Sequence, residues 1–190
     1  MKTQNQTMLS ENTLTSRPTD IIAGFPVRPG FFELNGATPL SNGVNFTAHT
    51  RHGTSCELLL FHSGEEEPFA VLPFPNACRI GDVYSMVVMG LDIEDLEYGY
   101  RIDGPYEPEK GHIFDKTKVL LDPYAKAVAG QREWGQQKIG SYHARVVRDS
   151  FDWEDMPQST RKISDLIIYE LHVRAFTQDS SSGVMHPGTF

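Results

Sequence analysis

Residues 44–61 read VNFTAHTRHGTSCELLLF, and this stretch decides the fold class. Apolar and polar residues alternate in its first part, as they do in a strand that packs one face on a core. In its last part, Cys56 is expected to share one strand face with Leu58 and Leu60. The pair Asn42-Gly43 stands just before the stretch and is a strong hairpin signal. The stretch therefore predicts two short antiparallel strands.

The same pattern continues in both directions and reaches residue 103. Short apolar runs at Phe69 to Leu72 and Val83 to Met89 are separated by turn residues. Tyr98 and Tyr100 share one face of a further strand, which indicates core residues more than a platform for a ligand. Turn signals at intervals of roughly eight to twelve residues are typical of an all-β, immunoglobulin-like β-sandwich.

The charge and the cysteines restrict the class of partner and the compartment. The chain has 190 residues, with 25 acidic against 17 basic residues and a net charge of −8. We therefore expect neither nucleic acid nor an anionic membrane as a partner. The first 20 residues lack the apolar core of a secretory signal. Cys56 and Cys78 are accordingly expected to be reduced thiols in a cytoplasmic protein.

The composition changes along the chain and predicts four segments. These are a flexible polar leader (1–24), the β-sandwich (25–105), an irregular connector that packs between domains (106–164) and the start of a second domain (165–190). Within the connector, YHARVV at residues 142–147 is a candidate for one more strand.

The last segment contains DLIIYELHVRAFT at residues 165–177. A run that is apolar on both faces is typical of a strand buried in a parallel sheet. We expect this strand, Leu166 to Phe176, to be the first of an α/β domain that needs further strands to be complete. Without them, most of this burial is unavailable, so the tail should be mobile or lie loosely on the sandwich, and it should promote self-association.

Few residues are candidates for chemistry. The seven histidines lie at no metal-ligand spacing and no glycine-rich phosphate loop occurs, so we expect no metal and no cofactor. Glycosidic chemistry needs two positioned carboxyl groups. Glu170 lies on the predicted last strand, where pairing with Arg174 is the main interpretation, and we assign no catalytic residue. Trp134, in the loop GQREWGQQ, is the candidate carbohydrate-binding residue, although packing against a neighbouring domain fits it equally well.

Several of these segments together resemble a known family. YGYRIDGPYEPEKGHIFDKTKVLLDPYAKAV at residues 98–128 is similar to the bacterial glycogen debranching enzymes of the isoamylase and pullulanase type. The same group has a strand that resembles LIIYELHVRAFT, followed by a segment similar to HPGTF at residues 186–190. Residues 35–103 resemble the carbohydrate-binding module of family 48 in these enzymes. The resemblance implies glycoside hydrolase family 13, with Leu166 to Phe176 as the first strand of a (β/α)₈ barrel.

The resemblance also implies a function for the longer protein. That function is retaining hydrolysis of α-1,6-glucosidic branch linkages in glycogen or a related α-glucan. The family's catalytic acids lie on later barrel strands, so we expect this chain to be an N-terminal fragment that is inactive by itself. Two alternatives remain open: a free-standing α-glucan-binding module without catalysis, and a sandwich used only for protein contacts.

Overall fold

The computed structural model of the chain describes residues 17–130, 142–148, 152 and 161–189. The chain divides into two compact units, Met1–Asp149 and Ser150–Phe190. The strands of the described residues are β1 (Asp20–Ile22), β2 (Phe25–Pro29), β3 (Gly36–Leu40), β4 (Gly43–His49), β5 (Ser55–His62), β6 (Ala70–Pro73), β7 (Arg79–Ile80), β8 (Val83–Met89), β9 (Leu96–Asp103), β10 (Tyr106–Glu107), β11 (His112–Ile113), β12 (Ala127–Ala129) and β13 (His143–Arg145).

The strands of the first unit form two main antiparallel sheets, which confirms the predicted β-sandwich. One sheet has the order β1-β2-β8-β4-β3, with β7 beside β8, and the other has the order β12-β13-β9-β5-β6. The pair β10-β11 forms a separate small ribbon. Short 3₁₀ turns lie at Asn76–Cys78 and Pro108–Lys110.

The hairpin between β3 and β4 confirms the signal at Asn42-Gly43. Leu40 pairs with Gly43, so the loop has only two residues. Gly43 belongs to the strand itself, where a Cβ atom would collide with the carbonyl oxygen of Val88 on β8. The glycine is therefore required for the close approach of two backbones.

The core lies between the two sheets. Phe46 of β4 and Tyr98 of β9 meet edge to face with ring centroids 5.1 Å apart, and this contact joins the sheets. Each fully buried large apolar side chain contributes roughly 1.5–3 kcal/mol. The inward positions are the alternating apolar residues of the four central strands: Val44, Phe46, Ala48, Tyr84, Met86, Val88, Cys56, Leu58, Leu60, Leu96, Tyr98, Tyr100 and Ile102.

The second sheet continues beyond residue 105. The candidate strand in YHARVV is confirmed over His143–Arg145, where Ala144 pairs with Tyr98 of β9. Further along β9, Tyr100 exchanges backbone hydrogen bonds with Leu120, at 3.0 and 2.7 Å. Parts of the segment predicted as connector thus extend and flank this sheet.

In the second unit, Leu166 to Phe176 does not form a strand. Val173–Phe176 is one turn of helix (α1), and the His172 ring accepts a 3.1 Å hydrogen bond from the Ala175 N–H. A strand needs a paired neighbour, and no described strand pairs with residues 166–172. Ile167 is 100% exposed, so the apolar run lacks the burial that would hold it in a sheet. The barrel strand therefore remains a prediction.

Two further 3₁₀ turns, Ile163–Asp165 and Ser180–Ser182, belong to the same unit. Across the part of the chain that the structure describes, every helix is too short or too polar to cross a bilayer.

Candidate functional site

The residues singled out in the sequence lie in different surroundings. Trp134 falls outside the described residues, so its sugar-binding role remains a prediction. Tyr98 and Tyr100 are 0% and 2% exposed, which confirms that they belong to the core. Glu170 is exposed on the second unit.

An open pocket of about 180 Å³ lies at one end of the sandwich, where several strands begin or end. Its position follows from the chain: His62 ends β5 and Leu96 begins β9. We call it the Phe69 pocket and define it by the residues that give it its chemistry, which are Phe25, His62, Phe69, Leu91, Asp92 and Asp95.

Three rings form the apolar part of the Phe69 pocket. The ring centroid of Phe69 is 4.4 Å from that of His62 and 6.2 Å from that of Phe25. Phe69 is 41% exposed although it is large and apolar. An accessible ring of this kind offers a flat apolar face, which is suited to stacking against a ligand.

Two carboxylates form the polar part. Asp95 Oδ2 lies 2.8 Å from His62 Nδ1, and Asp95 Oδ1 accepts a 3.0 Å hydrogen bond from the Ser63 N–H. The Ser63 N–H and then the His62 ring lower the pKa of Asp95, so this group is ionised at neutral pH. Asp92 accepts a 3.1 Å hydrogen bond from the Glu94 N–H. Each carboxylate keeps free lone pairs for further donors.

A buried carboxylate holds the loop that carries this site. Glu97 Oε1 accepts hydrogen bonds from the Gly64 N–H at 2.9 Å and the Ser63 hydroxyl at 3.3 Å. Its other oxygen lies 3.1 Å from Nδ1 of buried His143, on whose ring Phe61 stacks at 3.8 Å. Since removing one partner of a buried polar pair is costly, the pair fixes the turn between His62 and Phe69.

The pocket thus combines the exposed ring of Phe69, at the end of a fixed loop, with the carboxylates of Asp92 and Asp95. Such a combination is suited to a neutral ligand that has one apolar face and several hydroxyl donors. Asp92 and Asp95 accept hydrogen bonds from groups of the protein, which fix both carboxylates in place. Fixed acceptors of this kind are suited to ligand recognition.

The comparison with known families decides which class of protein carries this sandwich. The family model of carbohydrate-binding module 48, the isoamylase N-terminal domain, matches residues 35–125. Residues 35–125 belong to carbohydrate-binding module family 48. The matched range runs from β3 through the segment beside β9, so it contains the central strands of both sheets.

Relatives of known name support the same assignment. The chain is 35% identical over 182 residues to isoamylase SU1 of Zea mays, which covers 90% of this chain and 22% of the maize protein. It is 35% identical over 156 residues to the glycogen debranching enzyme of Salmonella typhi, which covers 75% of this chain and 23% of that enzyme. The chain therefore spans about a fifth of the length of the curated relatives it matches.

A solved structure supports the fold. The pullulanase from Paenibacillus barengoltzii, in complex with maltohexaose and α-cyclodextrin, matches with a TM-score of 0.59 at 20% identity. The match covers 83% of this chain and 22% of the pullulanase.

The Phe69 pocket was missed in the sequence because its residues are scattered. Phe25 lies before the range that matches the module, whereas His62, Phe69 and Asp95 lie within it. Phe69 comes after the acidic turn Glu65 to Glu67, and the apolar run that it begins predicts a strand. An aromatic residue that follows a polar turn and Pro68 is the one signal that points to an exposed ring at a strand end.

Proposed function

We propose that this chain is the α-glucan-binding N-terminal part of a glycogen debranching enzyme. The longer protein would hydrolyse α-1,6-glucosidic branch linkages in glycogen or a related α-glucan. The match of residues 35–125 to carbohydrate-binding module 48, together with isoamylase and debranching relatives, carries the proposal.

The Phe69 pocket is the proposed sugar-binding site of the module. Stacking on Phe69 would bury the apolar face of a sugar ring. Each Å² of apolar surface buried would contribute about 25 cal/mol to the binding free energy. The ionised Asp95 carboxylate, held by Ser63 and His62, would accept hydrogen bonds from sugar hydroxyls. Trp134 remains a second proposed contact.

Affinity electrophoresis in gels that contain glycogen tests the binding function. We expect the chain to be retarded by glycogen and Phe69→Ala to lose most of that retardation. Tyr106→Ala is the matched control, because Tyr106 is 71% exposed and lies outside the pocket. Migration unaffected by glycogen would contradict the binding function, and equal retardation of wild type and Phe69→Ala would contradict the site.

The catalytic half of the proposal concerns the longer protein. We propose the division into a leader (1–24) whose end forms β1, a sandwich (25–105), a connector (106–164) that adds β12 and β13 to the second sheet, and the start of a barrel (165–190), with hydrolysis carried out by the barrel. The chain alone is proposed to bind α-glucan without hydrolysing it. Sequencing the reading frame past Phe190 tests this: continuation into barrel strands supports the enzyme, and a stop codon favours the free-standing module.

The proposed compartment is the cytoplasm, with no nucleic-acid or membrane partner. The free thiols of Cys56 and Cys78 support a reducing compartment. The net charge of −8 supports the exclusion of polyanionic partners.

A further inference from the structure

We infer that the Phe69 pocket binds a single glucose unit at a time. The association constant for a glucan should therefore increase only in proportion to the number of glucose units in its chain. This inference rests on the proposed function and adds the mode of recognition.

The size of the pocket supports one sugar ring. Its volume of about 180 Å³ lies below the roughly 300 Å³ at which pockets for larger ligands begin. Several consecutive glucose units therefore do not fit inside it. Units on either side of the bound one would remain in solvent.

The orientation of the rings supports the same conclusion. A surface that binds consecutive units needs aromatic faces that lie in one common plane or follow one another along a strip. Here the Phe25 ring is inclined by 52° to the Phe69 ring, and the His62 ring is inclined by 31° to it. Phe25 is also half-buried, so of the two phenylalanine rings it is Phe69 that supplies the exposed face of the pocket.

The carboxylates supply acceptors around one stacking face. Each oxygen of Asp95 already accepts one hydrogen bond from the protein, which fixes the direction of its remaining lone pairs. Asp92 lines the same pocket and is fixed by the Glu94 N–H. Hydroxyl groups around the edge of a single stacked ring are the donors that this arrangement suits.

Retention by glycogen then results from the large number of glucose units on each particle and not from an extended binding surface on the protein. One site of weak affinity meets many equivalent glucose units on the same particle. Rebinding among neighbouring units raises the effective concentration without any additional contact. The chain would thus stay near a branched glucan while moving over it easily.

Calorimetric titration of the full chain with maltose, maltotriose and maltoheptaose tests the inference. We expect the association constant, divided by the number of glucose units, to agree within about twofold for the three ligands. A value per unit that rises more than about tenfold from maltose to maltoheptaose would overturn the single-unit site. Absence of binding by all three, together with no retardation in glycogen gels, would instead overturn the proposed function.

Variants connect the measurement to the pocket. We expect Phe69→Ala to lower the association constant of all three ligands by at least about fivefold. The factor should be the same for each ligand, because each loses the same single stacking contact. Asp95→Asn keeps the shape of the side chain but removes its charge, and it should likewise lower the association constants of the three ligands by one common factor. Tyr106→Ala should change none of them. A loss that grows with ligand length in either pocket variant would contradict the inference.

Discussion

The Tyr98 hydroxyl donates a 2.8 Å hydrogen bond to Asp122 Oδ2 in the interior of the first unit. Tyr98 belongs to the segment YGYR on β9 and Asp122 to the segment LLDPYA. The bond therefore joins two parts of the sequence that carry the resemblance to debranching enzymes. The other oxygen of Asp122 accepts a 2.8 Å hydrogen bond from the Tyr124 N–H, and the carboxylate is only 2% exposed.

Replacing Tyr98 by Phe should destabilise the sandwich. The change removes one donor from a buried carboxylate, and an acceptor left unsatisfied costs roughly 1–3 kcal/mol. Urea unfolding of Tyr98→Phe measures the loss. Tyr106→Phe is the control, because Tyr106 is exposed and should lose almost nothing. Equal unfolding midpoints for the two variants would show that the Asp122 bond adds no stability.

The charge of Asp122 should make stability depend on pH. Burial raises the pKa of Asp122, against hydrogen bonds from Tyr124 and Tyr98 that lower it. With a raised pKa, the folded protein holds this proton more tightly than the unfolded chain does. Stability should therefore be higher below the ordinary carboxyl pKa and fall as pH rises through the raised pKa.

The matched comparison is Asp122→Asn, which lacks this titration. The free energy of unfolding of the variant, relative to wild type, should increase as pH rises from below about 4 towards neutrality. Unfolding measured at several pH values gives the difference. A difference that decreases over this range would mean that the hydrogen bonds outweigh the burial.

The two cysteines should be unreactive in the folded protein. Burial, and then the charge of Glu57, raises the pKa of Cys56 to about 12, and burial with Asp20 raises that of Cys78 to about 11. Since the thiolate is the nucleophile, alkylation by iodoacetamide near neutral pH should require unfolding. Mass spectrometry with and without denaturant measures the difference. Rapid alkylation of either cysteine in the native protein would contradict the burial seen here.

The apolar run before α1 should exchange its amide hydrogens quickly. Residues 166–172 lie in no strand, and Ile168 and Tyr169 are 78% and 76% exposed. Amide hydrogens that take part in no β-ladder exchange after local openings that cost little free energy. Hydrogen exchange of the chain should show weak protection here and strong protection in β5 and β9. Strong protection across Ile167 to Leu171 in a monomer would contradict this description.

The sandwich could be predicted from the sequence because strand alternation is a local signal. Val44, Phe46 and Ala48 face the core as their spacing predicts, and so do Cys56, Leu58 and Leu60. The family resemblance was also correct, because it depended on several segments in the right order.

Two features could not be read from local patterns. Leu166 to Phe176 has the composition of a buried strand, but a strand forms only when other strands pair with it. The Phe69 pocket depends on Phe25, Phe69 and Asp95, which come together only after both sheets have formed. Asp122 was visible as part of a motif, yet its buried bond to Tyr98 appeared only in three dimensions.

The central claim is that the module binds α-glucan in the Phe69 pocket, and chemical-shift mapping tests it most directly. Maltotriose would be titrated into the ¹⁵N-labelled chain while the backbone amide signals are followed. We expect saturable shifts that are largest at Ser63, Phe69, Leu91 and Asp95 and that disappear in Phe69→Ala. Saturable shifts centred on other residues, with these four amides unmoved, would contradict it.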